Sequence, residues 1–169
     1  MIPLDVQARC EQLQQIVGGL KLYALIDGLG FEDRFDTRIE TTAASVSLFA
    51  GTADAALSHA GPWLIDAGRM NSASIAELGA LEREAPALIW LITSHELDDL
   101  ARLLQLRLNI QIPDGRLALL RFWDPRVLAN LAQTLDANQR EDFFGPVYEW
   151  HVLQNGQRVW IGRHSANAH

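Results

Sequence analysis

Residues 87–93 read ALIWLIT, and residues 20–26 read LKLYALI. Neither run alternates with polar residues apart from Lys21, which is the pattern of a strand covered on both faces. Two such strands require helices on each side of a sheet, so these stretches set the fold class. Pro86 blocks any helix from running into the second stretch. Before it, Ser74 and Glu77 have the spacing of a capping box for a helix ending near Glu84. After it, Thr93 and Glu96 repeat that spacing, followed by Leu97, Leu100, Ala101 and Leu104 at the repeat of a helix with one buried face.

The first strand is flanked in the same way. Val6, Cys10, Leu13 and Val17 share one helical stripe within Asp5 to Val17, and Gly18-Gly19 ends that helix. Asp27-Gly28 ends the strand, and a short polar helix is expected over Phe31 to Glu40. A short strand follows at Val46 to Phe49, then a helix from Ala53 to His59 capped by Thr52, and an extended segment over Trp63 to Asp66. From Leu106 the period falls to two: Leu106, Leu108, Ile110 and Ile112 alternate with Arg107, Asn109 and Gln111. Pro113-Asp114-Gly115 turns this strand into a partner over Arg116 to Phe122. Asp124-Pro125 caps and opens a helix with the stripe Val127, Leu128, Leu131 and Leu135. A second hairpin runs from Val147 to Gln154, through Asn155-Gly156, to Gln157 to Gly162. The reading is a mixed α/β (α+β) domain: a single mixed sheet with buried central strands, flanking helices and two antiparallel hairpins in the C-terminal half. It spans 1–163, with a frayed tail at 164–169.

Composition narrows the function. The chain has 169 residues, 49% of them hydrophobic, enough to bury a core without staples. Its one cysteine, Cys10, rules out an internal disulfide and a four-cysteine zinc site. A charge of −7, from 21 acidic and 14 basic residues, opposes binding to phosphate backbones, and no basic patch offsets it. No apolar run reaches the ~18 residues of a membrane span. The first ten residues carry Asp5 and Arg9 rather than the continuous apolar stretch of a secretory signal. A soluble cytoplasmic protein without nucleic-acid or membrane partners is expected.

The search for chemistry finds little. The Gly-x-Ser-x-Gly elbow is absent, and Ser58-His59 sits near a helix end. The glycines have neither phosphate-loop nor dinucleotide spacing. His95, Glu96, Asp98 and Asp99 form the densest ionisable cluster, and a small hydrolase or transferase using it is the alternative reading. Consecutive helical residues point around the axis rather than converging, however, and acidic groups suit a first turn. His151 lies beside Trp150 in a strand, so the two face opposite sides, and a polar surface position is expected for it. Cys10, on an apolar stripe, reads as an inert thiol. A small-ligand regulatory domain would instead need a pocket beside the carboxyl ends of the two apolar strands. No catalytic residue, metal or cofactor is assigned. Seven of thirteen aromatics fall in the last third, so Trp123, Phe143, Phe144, Tyr148 and Trp150 are the candidate partner-binding residues.

Three blocks there carry a resemblance: LNIQIPDG (108–115), LRFWDPRVL (120–128) and FFGPV (143–147). Upstream, LYALIDG (22–28), SLFAGT (47–52) and PWL (62–64) follow in the same order. Together they resemble the type VI secretion effector adaptor family, whose module was long catalogued as a domain of unknown function, over about residues 20–150. The resemblance implies a cytoplasmic chaperone that holds a toxic effector, often by its N-terminal region, and loads it onto the spike protein. Many members carry a further region after this module, whereas this chain stops soon after Trp160. Arg121, Asp124, Pro125 and Arg126 are the motif positions. Asp124 is first a helix cap, and Arg121 or Arg126 is expected to brace the corner by pairing with a carboxylate such as Asp27.

Overall fold

The computed structural model of the chain describes residues 1–162, so the tail expected at 164–169 lies outside the described residues. Its centre is a six-stranded sheet of order β2-β3-β1-β4-β7-β8. The strands are β1 (Lys21–Asp27), β2 (Ser45–Ser47), β3 (Pro62–Asp66), β4 (Leu88–Thr93), β7 (Glu149–Gln154) and β8 (Gln157–Gly162). The two apolar runs lie side by side in the middle, with Tyr23 opposite Leu91 and Leu25 opposite Ile89. Every pairing between these strands is antiparallel, so the mixed α/β class holds without the parallel neighbours that a mixed sheet would contain. Double burial does not require parallel strands, only a helical layer on each face.

Those layers are α1 (Leu4–Ile16) and α3 (Ser72–Glu84) on one side, and α4 (Leu97–Gln105), α5 (Pro125–Thr134) and α6 (Ala137–Phe144) on the other. Alternation along the strands divides the core. Tyr23, Leu25, Ile89, Leu91, Trp150 and Val152 join the larger cluster with Leu100, Leu128 and Phe144. Ala24, Ile26, Leu88 and Trp90 face Val6, Leu78 and Leu81 in the smaller one. Helix α2 (Gly28–Phe35) starts where Asp27 ends β1, the Asp27 carboxylate accepting from the Leu29 N–H at 3.3 Å. Gly28 is required there, because a Cβ would stand 2.3 Å from the His59 carbonyl oxygen.

Several boundaries differ from expectation for local reasons. Asn71, not Ser74, caps α3, its side chain accepting from the Ser74 N–H at 2.8 Å. Thr93 is occupied in the sheet, donating to the Pro146 carbonyl at 2.9 Å, so no box forms with Glu96 and α4 starts without a side-chain cap. Asp36, at φ 53°, stops α2 before the expected Glu40. The segment after Thr52 is a short 3-10 helix, Ala55–Ala60. Helix α6 is absent from the sequence reading, although Asp136 and Gln139 form a reciprocal capping box at its start. In α1 only Val6 of the expected stripe is fully buried, whereas Val17 is 45% exposed and Ile16 79%.

The first hairpin does not join the sheet. Its strands, β5 (Asn109–Gln111) and β6 (Leu117–Leu119), form a two-stranded arm of their own, rooted by buried Leu108. The second hairpin does join it through β4 and β7, with Asn155 (φ 50°) and Gly156 (φ 76°) in the turn. No described helix is long and apolar enough to cross a membrane.

Candidate functional site: an apolar groove beneath the hairpin arm

The β5–β6 arm is largely exposed along both strands, and its root at Leu108 is buried. Ile110 and Ala118 pair across the arm and share a face with Leu108 and Leu120. Opposite that face stand Leu131 and Leu135 of α5 and its end, and Phe143 of α6. Between them is a groove of about 480 Å³. Leu106 stands at its mouth, 78% exposed, and Ile110 on its wall is 44% exposed. On the outer face of the arm Leu117 and Leu119 are also exposed. Large apolar side chains concentrated on one projecting element are unusual for a surface that meets only water.

Arg107 fixes the groove floor. Its guanidinium donates to the carbonyl oxygens of Phe143 (2.8 Å), Asp142 (2.6 Å) and Leu103. Those carbonyls lie in the last turns of α4 and α6, where the helix dipoles are negative. One half-buried cation thus joins two helix ends. Burial pulls the Arg107 pKa down, and the nearby Asp142 carboxylate partly restores it.

The five aromatics expected to meet a partner separate into two groups. Trp123, Phe144 and Trp150 are core residues, none more than 2% exposed, which corrects their assignment to the surface. The cause is an edge-to-face set: Trp150 packs against Phe144 at 5.6 Å and Phe122 at 6.4 Å, and Trp123 against Phe49 at 5.8 Å. Phe143 and Tyr148 are half-buried, and Phe143 lines the groove.

At the motif, Asp124 caps α5 by accepting from the Arg126 N–H at 2.9 Å, and Pro125 occupies the first turn. Arg126 pairs with Asp124 at 2.8 Å rather than with Asp27. Arg121 lies with its guanidinium 5.8 Å from the Trp123 ring and makes no ion pair with Asp27 among the described residues. Asp27 is pushed above the ordinary aspartate range by burial, which its Leu29 hydrogen bond and the charge of Arg121 only partly oppose. Burial also raises Asp124, but hydrogen bonds from Arg126 outweigh it and hold the carboxyl below its usual range. Two substitutions separate these roles. Asp124→Ala should cost about 1 kcal/mol through the lost cap. Arg126→Ala should leave the melting temperature close to that of the wild type, because its side chain is 71% exposed and water screens its pair with Asp124. Equal melting temperatures for the two variants would refute the division.

The acidic cluster does not converge. Glu96 pairs outward with Lys21 at 2.9 Å and Asp99 with Arg102, and among the described residues no three histidine, cysteine or acidic groups could hold a metal. The small-ligand geometry also fails, because antiparallel β1 and β4 have their carboxyl termini at opposite ends of the strands. His151 was expected at the surface but is 1% exposed, hydrogen-bonded to Glu149 at 2.9 Å. Glu149 is itself clamped by Arg9 from α1 at 2.6 Å. Strand alternation could have placed Glu149 and His151 on one face; nothing in the sequence shows that α1 covers them. Cys10 is half-buried, and burial raises its thiol pKa, with Glu11 and Glu149 adding to the rise.

The site is thus a groove bounded by a separate two-stranded arm, in a three-layered mixed α/β domain whose ionisable groups are largely engaged with one another. Residues 22–142, most of the chain, match the family described as a domain of unknown function, DUF4123, and the protein belongs to that family. The match runs from β1 to α6 and contains the whole groove apart from the Phe143 ring. A comparison with curated proteins returned no match, and neither did one with solved structures.

Proposed function

We propose that this chain is an adaptor that holds a secreted effector and passes it to the spike protein, as the resemblance to type VI secretion adaptors implies. Membership of the DUF4123 family is consistent with that role. It acts in the cytoplasm by contact alone, without turnover or cofactor. The occupant of the groove is an apolar segment of the effector, laid between the β5–β6 arm and the α5–α6 pair.

The observation that carries this reading is the arm itself. Ile110, Leu117 and Leu119 on the arm and Leu106 at the end of α4 are each at least 41% exposed, next to a groove whose walls continue into the larger core cluster. A segment entering the groove would bury apolar surface on both partners without requiring the sheet to open. Charged residues scattered elsewhere keep the rest of the surface wet.

The test is co-expression with the products of neighbouring genes, followed by titration of the captured protein. Ile110→Asp and Leu106→Asp should weaken capture at least about tenfold, since each places a charge in the path of an apolar contact. Melting temperatures should stay within a degree or two, because both positions are already wet. Wild-type affinity in both variants would remove the groove from the reading. Failure to bind any neighbouring effector or spike product would remove the adaptor role itself.

A further inference from the structure

On the opposite face, α1 is held in large part by ion pairs. Its apolar contribution is small: Val6 is fully buried, and Ile2 just before the helix packs against the smaller core cluster, while Leu4 and Ile16 are 72% and 79% exposed. What it covers is the β7–β8 end of the sheet, where the layer beneath is ionic rather than apolar. Arg9 grips Glu149 through Nε at 2.8 Å and Nη2 at 2.6 Å, and its guanidinium lies 4.7 Å from the centre of the Trp160 ring. Asp5 meets Arg158 at 3.0 Å, and Arg158 also pairs with buried Glu82 of α3. Below them His151 stacks on Trp160 and bonds Glu149, but its Nδ1 is buried without a hydrogen-bond partner.

The helix ends in a joint. Gly18 and Gly19 have φ of 74° and 66°, with open space around both. Left-handed backbone at two consecutive glycines leaves wide rotational freedom between α1 and β1. Beyond the joint the Leu20 N–H is held only by the Gln14 side chain, at 2.8 Å.

We propose that α1 is a hinged strap, fastened over the β7–β8 end by the Arg9–Glu149 and Asp5–Arg158 ion pairs, that swings open at Gly18-Gly19 while the sheet stays folded. Three features combine to permit this. The contacts that close it are few and charged, so water can replace them as they break. The sheet beneath keeps its own ladder, because β7 pairs with β4 and β8 without involving α1. The hinge lies on no hydrogen-bonded strand. Opening uncovers Glu149, His151 and Trp160, and gives the orphaned Nδ1 a partner in solvent, which offsets part of the cost of exposing Val6. Both α1 and the β7–β8 hairpin lie outside the matched residues 22–142.

Hydrogen exchange read by mass spectrometry on the intact chain tests the strap. Amides of residues 8–17 should exchange well before those of β1 and β4, which require global unfolding. Arg9→Gln should speed exchange in α1 about tenfold or more and leave β1 and β4 unchanged, as loss of a charge-assisted pair on a locally opening unit predicts. Cys10, the sole thiol, should react faster with maleimide in the same variant. Losing a neighbouring cation can only disfavour the thiolate, so faster labelling reports opening. Asp5→Asn, at a side chain already 51% exposed, should act in the same direction to a smaller extent, and decides the matter if Arg9→Gln does not fold. Exchange of α1 in step with β1 and β4, or wild-type α1 rates in both variants, would overturn the strap.

Discussion

Trp123→Ala is expected to lower the free energy of unfolding by about 3–5 kcal/mol, the range for deleting a large aromatic from a packed core. The ring is 2% exposed and wedged edge-on between Phe49 and Phe122, each 5.8 Å away, so no neighbour can collapse into the space. Trp123→Phe should recover much of that loss. It keeps an aromatic edge for Phe49 and discards the indole N–H, which is buried without an acceptor. Urea unfolding of the three proteins is the measurement. A loss below ~1 kcal/mol in the alanine variant, accompanied by failure to capture a partner, would return Trp123 to the surface role that its motif suggests.

The second large effect is at Glu149. Glu149→Ala leaves the buried His151 ring without its only hydrogen-bond partner among the described residues and removes the anchor of Arg9. Breaking a fully buried pair costs about 3–5 kcal/mol; here Arg9 is 31% exposed and can turn to water, so about 2–3 kcal/mol is expected. The same carboxylate gives the protein an acid limit. Burial raises its pKa, but hydrogen bonds from His151 and Arg9 outweigh burial and hold it below the ordinary glutamate value of 4.5. A folded-state pKa below the unfolded one contributes stability that is full above about pH 4.5 and is lost as pH falls through the depressed value. Chemical denaturation at pH 7 and pH 3.5 should therefore show a smaller pH-dependent loss in Glu149→Gln than in the wild type. Identical losses would mean that Glu149 titrates normally.

The central strands were legible because a doubly buried strand leaves an unbroken apolar run, and ALIWLIT at 87–93 allows few other readings. The hairpins were legible from their turns: Pro113-Asp114-Gly115 and Asn155-Gly156 each provide the backbone angles a reversal needs. Strand direction was not, because burial on both faces is the same for parallel and antiparallel neighbours. The groove was half legible. Ile110 and Leu131 each sat on a stripe read as apolar, but period-two and period-3.6 patterns predict burial equally whether or not a tertiary partner exists. Phe144 and Trp150 failed as surface residues for the converse reason: an aromatic-rich stretch has the same composition in a core as at an interface. The burial of His151 and Glu149 was missed because Arg9, which holds Glu149 from above, is 140 residues from it in sequence. Local patterns carry no information about ion pairs closed at that separation.

Because the β5–β6 arm forms a sheet of its own, its length and outer residues are free of the register that locks the central strands. A residue inserted at the Pro113–Gly115 tip shifts no side chain of the six-stranded sheet from one face to the other. Selection can therefore redraw what the tip touches while leaving the scaffold's folding intact, and a transplanted tip should carry its preference to a relative with the same scaffold.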